Sequence, residues 1–149
     1  MSVTSINHGK QANRQGRKFE DLVSGQFDLS GVVHQRQFRL AAGSIFGKVK
    51  VIDFLIKNSV AFPDGLYIEL KWQDSPGSVE EKMAYTIACI KERYDLPTIL
   101  LIGGEGLTEG CIAWTLAQKG GNLVDIMFEK DITRWLMRNE FKSKQRELI

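Results

Sequence analysis

The sequence predicts an α/β domain with a mixed central sheet flanked by helices. Three observations predict it. An amphipathic helical stretch is followed by three strand-like runs in succession, helical and strand patterns alternate thereafter, and the runs "VIDFLI" and "TILLIG" are almost wholly apolar, as strands covered on both faces are. A chain of 149 residues with 43% hydrophobic residues is enough for one domain, residues 1–149, with a core that requires neither disulfides nor a metal staple.

Taken in order, the first helix is expected from about Asn13 to Phe27, with Phe19, Leu22, Val23 and Phe27 at helical spacing, and Gly31 closes the unit. "VVHQRQFRL" reads as a strand rich in polar side chains, "AAGSIFGK" as a loop, and "VKVIDFLIK" as a central strand. Pro63, Asp64 and Gly65 mark the turn before the strand "LYIELKW". After "QDSPG", Ser78 with Glu81 three residues on is a capping-box signature, and Val79, Met83, Ile87, Ile90 and Tyr94 form the apolar stripe of a helix. Lys82 and Tyr85 lie off that stripe and are candidates to face a site. Pro97 opens the strand "PTILLIG". The glycine-rich "GGEGLTEG" lacks the endings and spacings of phosphate loops, so it reads as a turn. A short helix over Ile112 to Ala117, a strand "LVDIMF" and a last helix capped by Asp131 and anchored by Trp135 and Leu136 complete the order. Arg134, Arg138, Lys142, Lys144 and Arg146 make that end basic.

Composition excludes some classes. Cys89 and Cys111 fall inside apolar patterns without a second thiol or histidine at ligand spacing, so they read as buried free thiols, and His8 and His34 as surface residues. No apolar run reaches the length of a membrane span, and "MSVTSINHGK" lacks the layout of a signal peptide; the expectation is an intracellular, cytoplasmic protein of prokaryotic or phage-like type. The net charge of +2 hides an asymmetry: residues 1–50 hold eight basic against three acidic residues, residues 51–129 six against twelve, and residues 130–149 six against three. Basic ends around an acidic middle fit a polyanion-binding surface around a cation-binding centre.

That centre is found in two strands. Asp53 interrupts an apolar strand, where an unpaired carboxylate costs several kcal/mol and therefore needs a partner. Glu69, Lys71 and Gln73 alternate with Ile68, Leu70 and Trp72, so they share the opposite face of the next strand. With a turn of about eight residues between the strands, Asp53 and Glu69 lie at opposite or diagonal positions, suited to one divalent cation. Glu20, in register with Gly16, Val23 and Phe27, is a third carboxylate turned toward the apolar side of its helix. Two acids with a lysine suit phosphodiester hydrolysis, because carboxylates hold Mg²⁺ while leaving places for phosphate and water, and an ammonium orients that water or stabilises charge on phosphorus.

"VIDFLI" followed by "YIELKWQ" resembles the motif of the PD-(D/E)XK nuclease superfamily, which includes restriction enzymes, junction resolvases and some homing endonucleases. The resemblance implies a restriction-endonuclease-like core, Asp53 and Glu69 as metal ligands and Lys71 as the catalytic lysine. Glu20 is similar to the first-helix glutamate of many members, and Gln73 to a polar residue that some branches place after the lysine. The proline usually written before the aspartate is replaced by Ile52. The expected protein is a Mg²⁺-dependent endonuclease of double-stranded DNA, with Mn²⁺ able to substitute, Ca²⁺ supporting binding without cleavage, and no small-molecule cofactor. Catalysis is assigned to Glu20, Asp53, Glu69, Lys71 and Gln73, and the DNA face to Lys10, Arg14, Arg17, Lys18, Arg36, Arg39, Lys48, Lys50 and Lys82. Cutting both strands with one site per chain calls for a homodimer or homotetramer. Small size favours a homing endonuclease, such as serves intron homing, or a Holliday-junction resolvase over a restriction enzyme, and the similar size of homing enzymes of this type puts homing first. A catalytically silent DNA-binding subunit and a hydrolase of small phosphoesters are the rival classes.

Overall fold

A computed structural model describes residues 3–74, 79–138 and 140–143, with side chains from Arg14 onward, Val79 excepted. The elements run α1 (Val3–Leu29), β1 (His34–Leu40), β2 (Lys50–Ile56), β3 (Leu66–Trp72), α2 (Val79–Arg93), β4 (Thr98–Gly103), α3 (Glu109–Ala117), β5 (Leu123–Phe128) and α4 (Ile132–Met137), the last preceded by a 3₁₀ turn over Glu129–Asp131. Five strands form one sheet in the order β1-β2-β3-β4-β5, antiparallel from β1 to β3 and parallel from β3 to β5. This is the mixed α/β sheet expected.

Helices cover both faces because β3 and β4 present apolar side chains in both directions. Toward α1, Ile68 and Leu70 meet Phe19, Val23 and Phe27, with Trp135 of α4 in the same cluster. Toward α2, Tyr67, Leu100 and Ile102 meet Met83, Ile87, Ile90 and Tyr94. Cys89 and Cys111 are buried free thiols, as expected.

The glycine-rich segment is the turn that the sequence implies, with a definite task. Gly104 has φ +82°, and a Cβ there would lie 2.1 Å from the Gln73 carbonyl oxygen. Only glycine admits this approach, which lets Gln73 donate to Gly103 and accept from Gly106, tying down the end of β3.

Several boundaries differ from expectation. α1 begins at Val3 rather than near Asn13, since the polar stretch before Phe19 contains no proline and its glycines, Gly9 and Gly16, are tolerated within the helix. α3 begins at Glu109, where Thr108 caps it by accepting the Cys111 N–H, so the helix starts before its first large apolar residue. α4 ends at Met137, and Phe141 instead bridges to Ser59, which takes Lys142 out of the helix. Asp131 sits at the start of α4 but turns back to accept the Phe128 N–H. The Ser78 cap, Lys144 and Arg146 lie outside the described residues, as do the side chains of Lys10 and His8. Among the described residues no helix is long and apolar enough to cross a membrane.

His34 corrects the sequence reading. Its side chain is 7% exposed, edge-on to Phe27 and Phe54, with Ser24 Oγ and the Val32 carbonyl as partners. Its position at the first residue of an otherwise polar strand hid this, because the covering helix comes from earlier in the chain.

Candidate active site

The site forms where two strands part. Registered pairing of β2 with β3 runs from Ile56↔Leu66 to Phe54↔Ile68 and then stops. The next residue along β2 is Asp53, and its Oδ2 accepts the Leu70 N–H at 2.8 Å, standing in for a ladder bond. On the other side, Gln37 of β1 falls opposite Asp53, between the registered pairs Arg36↔Phe54 and Phe38↔Ile52, and has φ +54°. A non-glycine residue in the left-handed region costs of order 1 kcal/mol or more and is found where surrounding contacts enforce it. Here Gln37 Nε2 donates to Glu20 Oε1. The strand changes face at this point: Ile52 packs toward α2, whereas Phe54 packs toward α1.

Glu69 is buried, 3% exposed, on the α2 side of β3, where Tyr94 donates its hydroxyl to Oε2 and Lys50 Nζ lies 3.6 Å from the same oxygen. Burial, and then the negative charge of Glu69, push the Tyr94 hydroxyl far above its ordinary value, so it remains a donor. Asp53 shares a hydrogen bond with Glu69. Its carboxyl is pushed up to about 8, first by burial, then by the charge of Glu69 and the hydrogen bond between them; the Leu70 N–H and the Lys71 charge oppose the rise. Asp53, Glu69 and Lys71 are therefore one electrostatic unit, as the strand alternation requires.

This coupling has a measurable result. A carboxyl whose folded value lies near 8 rather than 3.8 keeps its proton in the folded state while the unfolded chain has lost it. Stability in EDTA is expected to fall by a few kcal/mol as pH rises from about 4 to about 8, and to be level with respect to this group above that window. Asp53→Asn should remove the slope and gain stability at pH 8; urea denaturation of both proteins at pH 5 and pH 8 checks this. An unchanged slope would show that Asp53 is not the group held protonated.

A cleft of about 680 Å³ adjoins the acids on the α1 side, lined among others by Arg17, Glu20, Arg36, Gln37, Asp53 and Trp72. Asp53 is the member of the acid pair that lines this cleft; Glu69 and Lys71 are not among its walls. Glu20 faces the same space but is engaged by Arg36 and Gln37. Among the described residues, no three Asp, Glu, His or Cys side chains gather into one metal-holding group. The chemistry nevertheless fits a hard divalent cation: two carboxylates in contact repel one another, and Mg²⁺ needs only one or two of them beside water and phosphate oxygens.

The basic residues divide. Arg14, Arg17, Lys18, Arg39, Lys48 and Lys82 are exposed. Arg36 is also exposed but is held by Asp21 and Glu20, which raise its pKa. Lys50, expected with the DNA-facing loop, turns inward to Glu69. Tyr85 stacks on Phe46 of the β1–β2 loop, with centroids 5.6 Å apart, rather than joining the acids. Gln73 is buried beyond Lys71, where β3 meets the Gly103–Gly106 turn. The reading from sequence missed two contributors, Tyr94 and Gln37. Tyr94 carried a signal, since a tyrosine in a buried stripe needs a partner for its hydroxyl; the backbone of Gln37 left no sequence trace.

No curated protein and no solved structure matches the chain. A family model described as a PD-(D/E)XK nuclease superfamily domain matches residues 11–142, a span that takes in most of α1, the acid pair, Lys71 and all five strands. The chain therefore belongs to the PD-(D/E)XK nuclease superfamily.

Proposed function

We propose that the protein is a Mg²⁺-dependent, site-specific endonuclease of double-stranded DNA, and a homing endonuclease in particular. The observation that carries the nuclease chemistry is the contact between Asp53 and Glu69 beside Lys71, at the fork between β2 and β3. Asp53 and Glu69 would hold the cation, with Mn²⁺ an alternative and Ca²⁺ supporting binding alone. When bound, the cation supplies polarisation of a phosphoryl oxygen and a lowered pKa for water. Lys71, with Gln73 behind it, orients the attacking water and stabilises the charge that develops on phosphorus. Glu20 assists from the cleft wall, a role that requires it to leave Arg36 or to act through it. Arg14, Arg17 and Lys18 on α1, Arg39 on β1, Lys48 in the following loop and Lys82 on α2 contact phosphates, and Lys10 extends this set.

The homing reading rests on the basic segments outside the motif. A chain with one catalytic site finds one site in a genome by pairing with another copy, as a homodimer or homotetramer, across a long and roughly palindromic target. Discrimination of about 1–3 kcal/mol per base pair is then spread over many positions. The expected target is roughly two helical turns of duplex in which many single substitutions are tolerated. Selection from a randomised library, followed by profiling of all single-base variants beside a four-way junction, tests this. A short all-or-none site would indicate a restriction enzyme, and preference for the junction a resolvase; either rejects homing while leaving the chemistry standing. Binding without cleavage in any divalent cation would indicate a silent DNA-binding subunit, and turnover of a generic phosphodiester would indicate a small-substrate hydrolase.

A further inference from the structure

Lys50 begins β2, and its side chain is 15% exposed while the Glu69 side chain beside it is 3% exposed. A lysine normally extends its ammonium into water along a flexible stem. Here the ammonium is turned inward, 3.6 Å from the Oε2 that also accepts the Tyr94 hydroxyl. Ordering this side chain and stripping much of its water is unfavourable unless the charge it meets is also in need of compensation. Glu69 supplies that charge, confined against Asp53 at the end of the registered β2–β3 pairing.

We propose that Lys50 is the built-in counter-ion of the acid pair, and that a divalent cation competes with its ammonium for Glu69. Resting on the reading that Asp53 and Glu69 hold the cation, the proposal assigns Lys50 a positioning role separate from that of Lys71. Lys50 holds Glu69 aligned, yields the carboxylate when the cation arrives, and then serves a phosphate of the substrate. Tyr94 donates to Glu69 throughout. Occupancy by the cation and grip on DNA are thereby coupled through one side chain.

The sign of the effect separates this from a structural role. A residue that merely braces Glu69 would weaken cation binding when removed, whereas a competitor strengthens it. Calorimetric titration of the full chain with Mn²⁺ alone, without DNA, is expected to show Lys50→Met binding at least about fivefold tighter than wild type, and Lys50→Arg close to wild type, since Arg keeps the competing charge. Lys50→Gln carries the same expectation if Lys50→Met does not fold by circular dichroism. Equal or weaker binding by the folded neutral variant overturns the proposal while leaving the metal site intact. Absence of Mn²⁺ binding in the wild type overturns the metal reading and the proposal with it. In a second arm, duplex binding in Ca²⁺ is measured against potassium concentration: the slope of log K against log salt should be shallower by about 0.9 in the neutral variant, one phosphate contact having been lost. An unchanged slope overturns the transfer of Lys50 to phosphate.

Discussion

Asp53→Asn and Glu69→Gln are each expected to reduce cleavage in Mg²⁺ to background while leaving duplex affinity in Ca²⁺ within about tenfold of wild type. The two carboxylates touch one another and the wider acidic surface offers no substitute: among the described residues, no third carboxylate, histidine or cysteine joins them. On the proposed reading, neutralising one removes half of what the acid pair offers a cation. The proposed phosphate contacts lie on separate elements, chiefly α1 and the β1–β2 loop, so binding should survive. Asp53→Asn retains an oxygen able to accept from Leu70, which keeps the local fold and makes a folding artefact easy to exclude. Single-turnover cleavage and fluorescence anisotropy on the same preparations check both halves. Undiminished cutting by either variant would remove the site assignment.

Lys71→Ala is expected to lower the single-turnover rate by roughly a hundredfold or more at saturating DNA, if the ammonium acts on charge that develops only in the transition state. Its charge already acts on Asp53, lowering the pKa that burial and Glu69 raise. An effect confined to affinity, with the rate unchanged at saturation, would make Lys71 a phosphate clamp and shift the water-orienting task elsewhere. Together with the Lys50 variants, this experiment assigns separate work to two lysines that flank the same carboxylates.

The order of elements was legible because it rests on local patterns: Phe19, Val23 and Phe27 at helical spacing, the largely apolar runs of β2 and β4, and the turn at Pro63 to Gly65. The pairing of Asp53 with Glu69 was legible because a carboxylate in an apolar strand requires a partner, and strand alternation left few directions in which to seek one. Less legible was anything decided by side chains meeting from distant elements. The ion-pair partners of Lys50 and Arg36 are an example: their neighbours in sequence are basic or polar, while in space Lys50 meets Glu69 and Arg36 meets Glu20 and Asp21. His34 read as exposed for the same reason, its cover being Phe27 and Phe54. The left-handed backbone of Gln37 had no sequence mark at all, since glutamine has no particular liking for that conformation.

The parting of β2 from β3 also has a mechanical side. A continuous ladder fixes the gap between neighbouring strands at close to 5 Å, the ordinary spacing of sheets. Beyond Phe54 and Ile68 no such ladder spans these two strands, and the tie between them is a side chain, Asp53 to Leu70. The acids thus lie across a compliant joint in an otherwise stiff sheet, and their separation can adjust by rotation of side chains without breaking main-chain pairing. If the acids hold a cation as proposed, a joint of this kind would accommodate the different radii of Mg²⁺, Mn²⁺ and Ca²⁺ at little elastic cost. Selectivity among those ions would then fall to what the reaction demands of them, not to the fit of a rigid cage.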